Sequence, residues 1–211
     1  MSKQRHQERA EKVAAMRAEQ QRRDRKNKIL IFGTTGVLAV GLITAAAIPL
    51  VNQAQQKAEI EAAANAPIEG VQETTDLTSN HVEGTVDYAS APPVGGDHNA
   101  VWQNCGVYTE PVVDEHAVHS LEHGAVWIAY SPDLAADDVA ALTARAENEP
   151  YVLVSPYEGA ESPVTLSAWG FQLEVDDPDD PRIDAFLERY VQGEQTPEPG
   201  AACFGGTGTP V

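Results

Sequence analysis

From Ile29 to Val51 the chain runs for 23 residues without a charge, and the charges on its two sides are of opposite sign. Residues 1–28 hold ten Lys/Arg against four Asp/Glu, whereas residues 29–211 hold four against twenty-eight. At about 1.5 Å per residue, an uncharged helix of this length crosses a bilayer with some tilt. The flank Arg22-Arg23-Asp24-Arg25-Lys26-Asn27-Lys28 stays cytoplasmic under the positive-inside rule, which puts everything after residue 51 outside. A cleaved signal peptide is the rival, because Ala45-Ala46-Ala47 could serve a peptidase. A signal's apolar core is only about 7–15 residues long, so the uncleaved anchor is favoured. The expectation is a single-pass protein held in the cytoplasmic membrane, N-terminus inside and main domain outside the cell membrane.

Around that run the chain divides into a basic cytoplasmic tail (1–28), the span (29–51), a helical stalk and linker (52–80), a folded domain (81–203) and a flexible tail (204–211). The tail 1–28 reads as a helix rich in Gln, Glu, Arg and Ala with no sustained apolar stripe, a solvated surface whose basic end suits anionic headgroups. The Ala/Gln/Glu-rich stretch after the span extends the helix until Pro67 and Gly70 stop it. The acidity of residues 29–211 argues against nucleic acid, since phosphate binding depends on Lys and Arg.

Within the domain, Ala125–Tyr130, Tyr151–Ser155 and Val164–Val175 read as strands, and Pro132–Asn148 and Pro181–Val191 as helices. The order β-α-β-β-α predicts an α+β fold, with a small antiparallel-rich sheet, two helices on one face and a ferredoxin-like order. A fourth strand would come from Thr85–Tyr88 or from the C-terminal tail. A loop-rich segment carrying most of the histidines precedes this unit, with turn chemistry at Pro92-Pro93-Val94-Gly95-Gly96-Asp97.

The chemistry concentrates there. Five of the six histidines fall between His81 and His123, and His116, His119, Glu122 and His123 lie within eight positions. Neutral imidazole is the commonest metal ligand in proteins. His119 and His123 are four apart, so one helical turn would set both on one face, with Glu122 as a ligand or as an acceptor orienting an imidazole. His98 would join them if the Gly95-Gly96 turn folds back, and His81 could be a fourth. Ordinary polar packing, with each ring bonded to backbone carbonyls, is the plain alternative.

His119-Ser-Leu-Glu122-His123 also matches the H-x-x-E-H pattern of some zinc hydrolases, in which the Glu is the general base. That reading requires a longer helix than Gly124 allows, and a third acidic ligand such as Glu188 or Glu194. Cys105 and Cys203, both on the external side, most simply form one disulfide. A free Cys105, as a soft metal ligand or as a nucleophile activated by histidine, is the alternative. No P-loop and no dinucleotide fingerprint occurs.

Several of these segments together resemble a known family. Pro92-Pro93-Val94-Gly95-Gly96-Asp97-His98, then Trp102, Gly106-Val107-Tyr108, Val118-His119-Ser120-Leu121-Glu122-His123-Gly124 and a strand ending at Tyr130 are similar to DUF3105. Ser155-Pro156-Tyr157 and Ala168-Trp169-Gly170 continue the resemblance, which covers residues 68–203. This is a bacterial domain of unknown function, often behind one N-terminal membrane anchor and frequent in actinobacteria. Members usually read Pro-Pro-Thr-Ser-Gly-Pro-His in the first motif; Val94, Gly95 and Asp97 depart from it while His98 keeps its place. The resemblance singles out His98, His119, Glu122 and His123 over His116, and it carries no activity.

The expected function is a membrane-anchored domain binding Zn or Cu through His98, His119 and His123, with His81 or Glu122 completing or orienting the site. An imidazole-rich set suits Zn(II) or Cu(II). With Met1 and Met16 both before the span, no thioether is available outside for a dedicated Cu(I) carrier. Nothing in the residues requires catalysis. The main rival is a non-catalytic accessory subunit docked on a membrane-protein complex, and a third reading is the zinc hydrolase.

Overall fold

The computed structural model describes the backbone of residues 2–147 and 149–211, with the side chains of 2–7, 9–11, 13 and 30–46 outside the described set. The chain falls into two units, Met1–Gln56 and Lys57–Val211. Helix α1 (Ser2–Asn65) accounts for the first and runs on to Asn65, and its described side chains from Glu8 to Glu59 are exposed. Pro67 follows two residues after its last turn, where a ring without an N–H cannot continue the ladder. The Arg189 guanidinium donates to the carbonyls of Ala64 and Ala66 at that end.

The expected span 29–51 falls largely on side chains outside the described set. Among the described residues no helix is long and apolar enough to cross a membrane. The N-terminal transmembrane helix of the expected fold is therefore not supported.

The second unit is built on a mixed six-stranded sheet. Its strands are β1 (Gln72–Glu73), β2 (Gly106–Val107), β3 (Val126–Tyr130), β4 (Val152–Pro156), β5 (Val164–Ala168) and β6 (Phe171–Val175). They lie in the order β1-β6-β5-β3-β4-β2. Strands β3 and β4 are parallel, in register from Val126↔Val152 to Tyr130↔Pro156, and are joined through helix α3 (Ala136–Ala146). Strand β5 pairs antiparallel with both β3 and β6.

This overturns the ferredoxin-like expectation. In that topology the two strands joined by the first helix are split by a third, whereas here they are direct neighbours. The run Val164–Val175 is a hairpin of β5 and β6, not one strand, because Trp169-Gly170 turns between them. Among the described residues Thr85–Tyr88 forms no strand; the sheet edges are taken by β1 and the two-residue β2.

Helices α3 and α4 (Pro181–Tyr190) do share one face, but the other face is not free. Side chains alternate along a strand. Val126, Ile128 and Tyr130 pack with Leu142 of α3 and with Ile183, Phe186 and Leu187 of α4. Trp127 and Ala129 point the opposite way, into a second cluster with Ala117 and Leu121 of helix α2 (Asp114–Glu122). Strand β3 is buried at every position, the pattern of a strand covered on both faces. The histidine-bearing loops lie with α2 on this second side.

Candidate metal centre

Helix α2 has nine residues and seven of them are buried, including His119, Ser120 and Glu122. So short a helix has little intrinsic stability, and its neighbours hold it. The Ser120 hydroxyl donates to the Gln103 carbonyl at 2.6 Å, Gln103 N–H donates to His116 O, and Asn99 N–H donates to Glu115 O. These bonds fasten the loop 99–103 along the helix.

The helix ends in a Schellman arrangement about Gly124, whose φ is +93°. Gly124 N–H donates to Leu121 O and Ala125 N–H to Ser120 O, satisfying the last carbonyls as the motif requires. A side chain at Gly124 would meet the Gln192 amide, which donates to the His123 carbonyl. The chain then enters β3 directly, so Glu122 and His119 sit above the sheet face that carries Trp127.

Opposite the helix, the Gly96 φ of +113° turns the chain so that the Gly96 carbonyl accepts from His98 Nδ1 at 2.8 Å. A backbone bridge pairs His81 with His98: Val82 N–H donates to His98 O and His98 N–H to Asn80 O. Asp97 accepts from the Asn80 backbone and side-chain N–H groups. Hydrogen bonds from Thr78 and Asn80 hold its carboxyl below the usual range. The two loop segments are thereby fixed edge to edge.

Four side chains converge in this frame. One ligand atom from each of His81, His98, His119 and Glu122 lies within 4.8 Å of all the others. His98 is fully buried, and Glu122 Oε2 lies 3.0 Å from its Nε2 and 3.8 Å from that of His81. His119 Nδ1 donates to Asn99 O at 2.6 Å, and its ring stacks on His81 with centroids 4.8 Å apart. Burial pushes the His119 pKa down to about 4, and the nearby histidines push the same way against the Asn99 bond. At neutral pH this imidazole is uncharged, the form that binds metals. Trp169 meets His98 edge-on and Trp102 lies against His119 and His123.

A carbonyl can only accept, so Nδ1 carries the proton in both His98 and His119. In the neutral ring Nε2 is then an acceptor. For His98 it faces a carboxylate oxygen at 3.0 Å with almost no solvent present. Two buried acceptors at that distance require a cation between them, a second proton or a metal ion. The His/Glu cluster could therefore bind a metal.

The other expected residues go elsewhere. His123 is not in the converging group. Its ring sits 4.5 Å from that of His119 but edge-on, its Nδ1 donates to Ala202 O and its Nε2 faces Glu198 at 3.6 Å. His116 bonds the Val101 carbonyl. Cys105 and Cys203 form a disulfide with Cα atoms 5.3 Å apart, which removes the thiolate that a soft ligand or nucleophile would need.

The hydrolase pairing of His119 with His123 is not assembled. Glu188 and Glu194 line cavities beside α4, on the far side of the sheet. Residues not singled out as site groups in the sequence also shape the centre. The carbonyls of Gly96 and Asn99 have no signature in residue type, and Glu198 lies in a tail of no evident periodicity. Trp102 and Trp169 were visible only as parts of the family motifs.

Residues 81–205 match the family model DUF3105, described as a protein of unknown function. Residues 7–66 match a second model, described as an inhibitor of host cell division protein domain. No curated protein and no solved structure matches the chain. The first match spans more than half of the sequence and takes in the whole His/Glu cluster and both cysteines, so the chain belongs to the DUF3105 family.

Proposed function

We propose that residues 81–205 form a binding domain for one transition-metal ion, Zn(II) or Cu(II), held by Nε2 of His98 and His119, a carboxylate oxygen of Glu122 and a ring nitrogen of His81. The observation that carries this reading is the buried Nε2–carboxylate contact of His98 and Glu122 at 3.0 Å, with Nδ1 already spent on a backbone carbonyl. A backbone carbonyl that accepts from Nδ1 in this way orients a ligating histidine and sets its tautomer. Three nitrogens and one carboxylate oxygen suit Zn(II) or Cu(II), and without sulfur ligands they do not suit Cu(I). The Cys105–Cys203 disulfide supports placing the domain in an oxidising compartment.

Glu122 acts here as a ligand, so the general base of the H-x-x-E-H reading is absent from the proposal. The test is metal content by mass spectrometry on the full chain, purified without a His tag. Near-stoichiometric zinc or copper, lost in His98→Ala/His119→Ala and kept in His123→Ala, is the expected result. A wild-type protein that takes up neither ion after dialysis against each would overturn the reading.

A further inference from the structure

We infer that the metal centre is a buried, fixed two-histidine, one-carboxylate set capped from the solvent side by an exchangeable fourth ligand, His81, and that an external nitrogen or oxygen donor reaches the metal by displacing it. The inference rests on the metal-binding reading above and goes beyond it, because a site closed by four equivalent ligands would offer no such position.

The four ligands are not equivalent. The side chain of His98 is fully buried and that of Glu122 is 5 % exposed, but that of His81 is 48 % exposed. His98 and His119 each have Nδ1 locked to a carbonyl, at 2.8 and 2.6 Å. Among the described residues neither ring nitrogen of His81 has a hydrogen bond, and its Nε2 lies 3.8 Å from the Glu122 carboxylate. The backbone of His81 is nonetheless fixed, by the bridge to His98 and the bonds around Asn80. The ring is thus held near the centre by a short tether, by stacking on His119 and by an edge contact with His98, and not by a hydrogen bond of its own.

Ordering such a side chain on binding costs entropy that the two locked rings do not lose. When it swings out, water fills the space and no buried polar group is stranded. Loss of His98, by contrast, would leave the buried Glu122 carboxylate without its 3.0 Å partner, the costly case, and loss of His119 would leave the Asn99 carbonyl without its donor. Exchange needs no redox step. The His81 nitrogen leaves with its lone pair, and an imidazole, azide or carboxylate brings its own to the same position.

Co(II) is the probe, because intense visible absorption marks it in a four-coordinate site and separates it from ions loosely held by surface carboxylates. The full chain is titrated as wild type, His81→Gly and His119→Gly, with His119→Gln as the buried variant should the glycine form not fold. His81→Gly is expected to keep Co(II) and to bind it at least about tenfold more tightly than the His119 variant does. Imidazole or azide should shift its spectrum, and imidazole should restore affinity in His81→Gly but not in the His119 variant.

Equal losses in the two variants, with no response of His81→Gly to imidazole or azide, would overturn the exchangeable ligand and leave the metal site standing. A wild-type chain that takes up no Co(II) would overturn the metal-binding reading, and this inference with it.

Discussion

Glu122 is the residue whose chemistry separates metal binding from ordinary polar packing. As a carboxylate it faces His98 Nε2 at 3.0 Å and needs a cation between them. As an amide it could donate its own N–H to that nitrogen. Glu122→Gln is therefore expected to leave the metal-free protein as stable as the wild type, or more so by about 1 kcal/mol, the net worth of one hydrogen bond. The rise in melting temperature that Zn(II) gives the wild type should vanish in the same variant. Differential scanning fluorimetry with and without Zn(II) reads both effects, and a Zn(II)-dependent rise retained in Glu122→Gln would count against Glu122 as a ligand. Residue type and spacing made His98, His119 and Glu122 legible in advance. They did not show that His123, four residues after His119, would bond Ala202 through Nδ1 and turn its Nε2 toward Glu198. Helical spacing brings two rings close; it does not set where their lone pairs point.

At the scale of elements, two helix ends set how the chain turns into and out of the sheet. Gly124 stops α2 with a φ of +93° and lets the chain enter β3 at once. A side chain there would adopt a left-handed conformation, costing about 1–2 kcal/mol, and would press on Gln192. Gly124→Ala should lower the unfolding free energy by at least that much, read as a drop in urea midpoint without a change in slope if folding stays two-state. Helix α4 begins with an Asp180 N-cap, whose carboxylate accepts from Arg182 N–H at 2.8 Å and pairs with the Arg182 guanidinium at 2.6 Å. Those contacts, the Arg182 side chain first, hold the Asp180 carboxyl below its ordinary value of 3.8. A carboxyl lowered by folding stabilises the protein above its unfolded pKa, and that contribution fades as pH falls through the lowered value. Asp180→Ala should cost about 1 kcal/mol at pH 7. The gap from wild type should narrow below pH 3.8 in paired denaturation curves. The helix 181–190 and the strands beneath it could be read from periodicity. Helix α2 could not, because the face a surface helix would give to water holds the buried polar cluster instead.

Across the whole second unit, the Cys105–Cys203 bond closes a loop over a sequence separation of 98 residues. Chain-entropy reasoning puts such a cross-link at up to about 4–5 kcal/mol, with 2–5 kcal/mol typical for loss of a native disulfide. The four converging side chains all lie between His81 and Glu122, ahead of the tail that Cys203 pins. Cys105→Ser/Cys203→Ser should accordingly lose about 2–5 kcal/mol of stability while keeping one metal per chain under folding conditions. The measurements are a urea midpoint and a metal stoichiometry on the same preparation. Loss of the metal in a variant that circular dichroism shows to be folded would mean that the tail, through Ala202 and His123, holds the site more directly than its ligands suggest.

By itself the sequence determined the local matters: the β-prone runs, the helix at 181–190, a pair of cysteines able to bridge, and a histidine-rich segment with ligand chemistry. Each follows from neighbouring residues, through periodicity, turn chemistry or side-chain type. The tertiary structure decided what depends on distant pairing. It made β3 and β4 adjacent and parallel, set a third helix on the second face of the sheet, and joined His81 to His98 by a backbone bridge while the tail claimed His123. Convergence of lone pairs on one point is a property of the packed chain, because backbone carbonyls such as those of Gly96 and Asn99 aim the rings and no residue type encodes a carbonyl's direction.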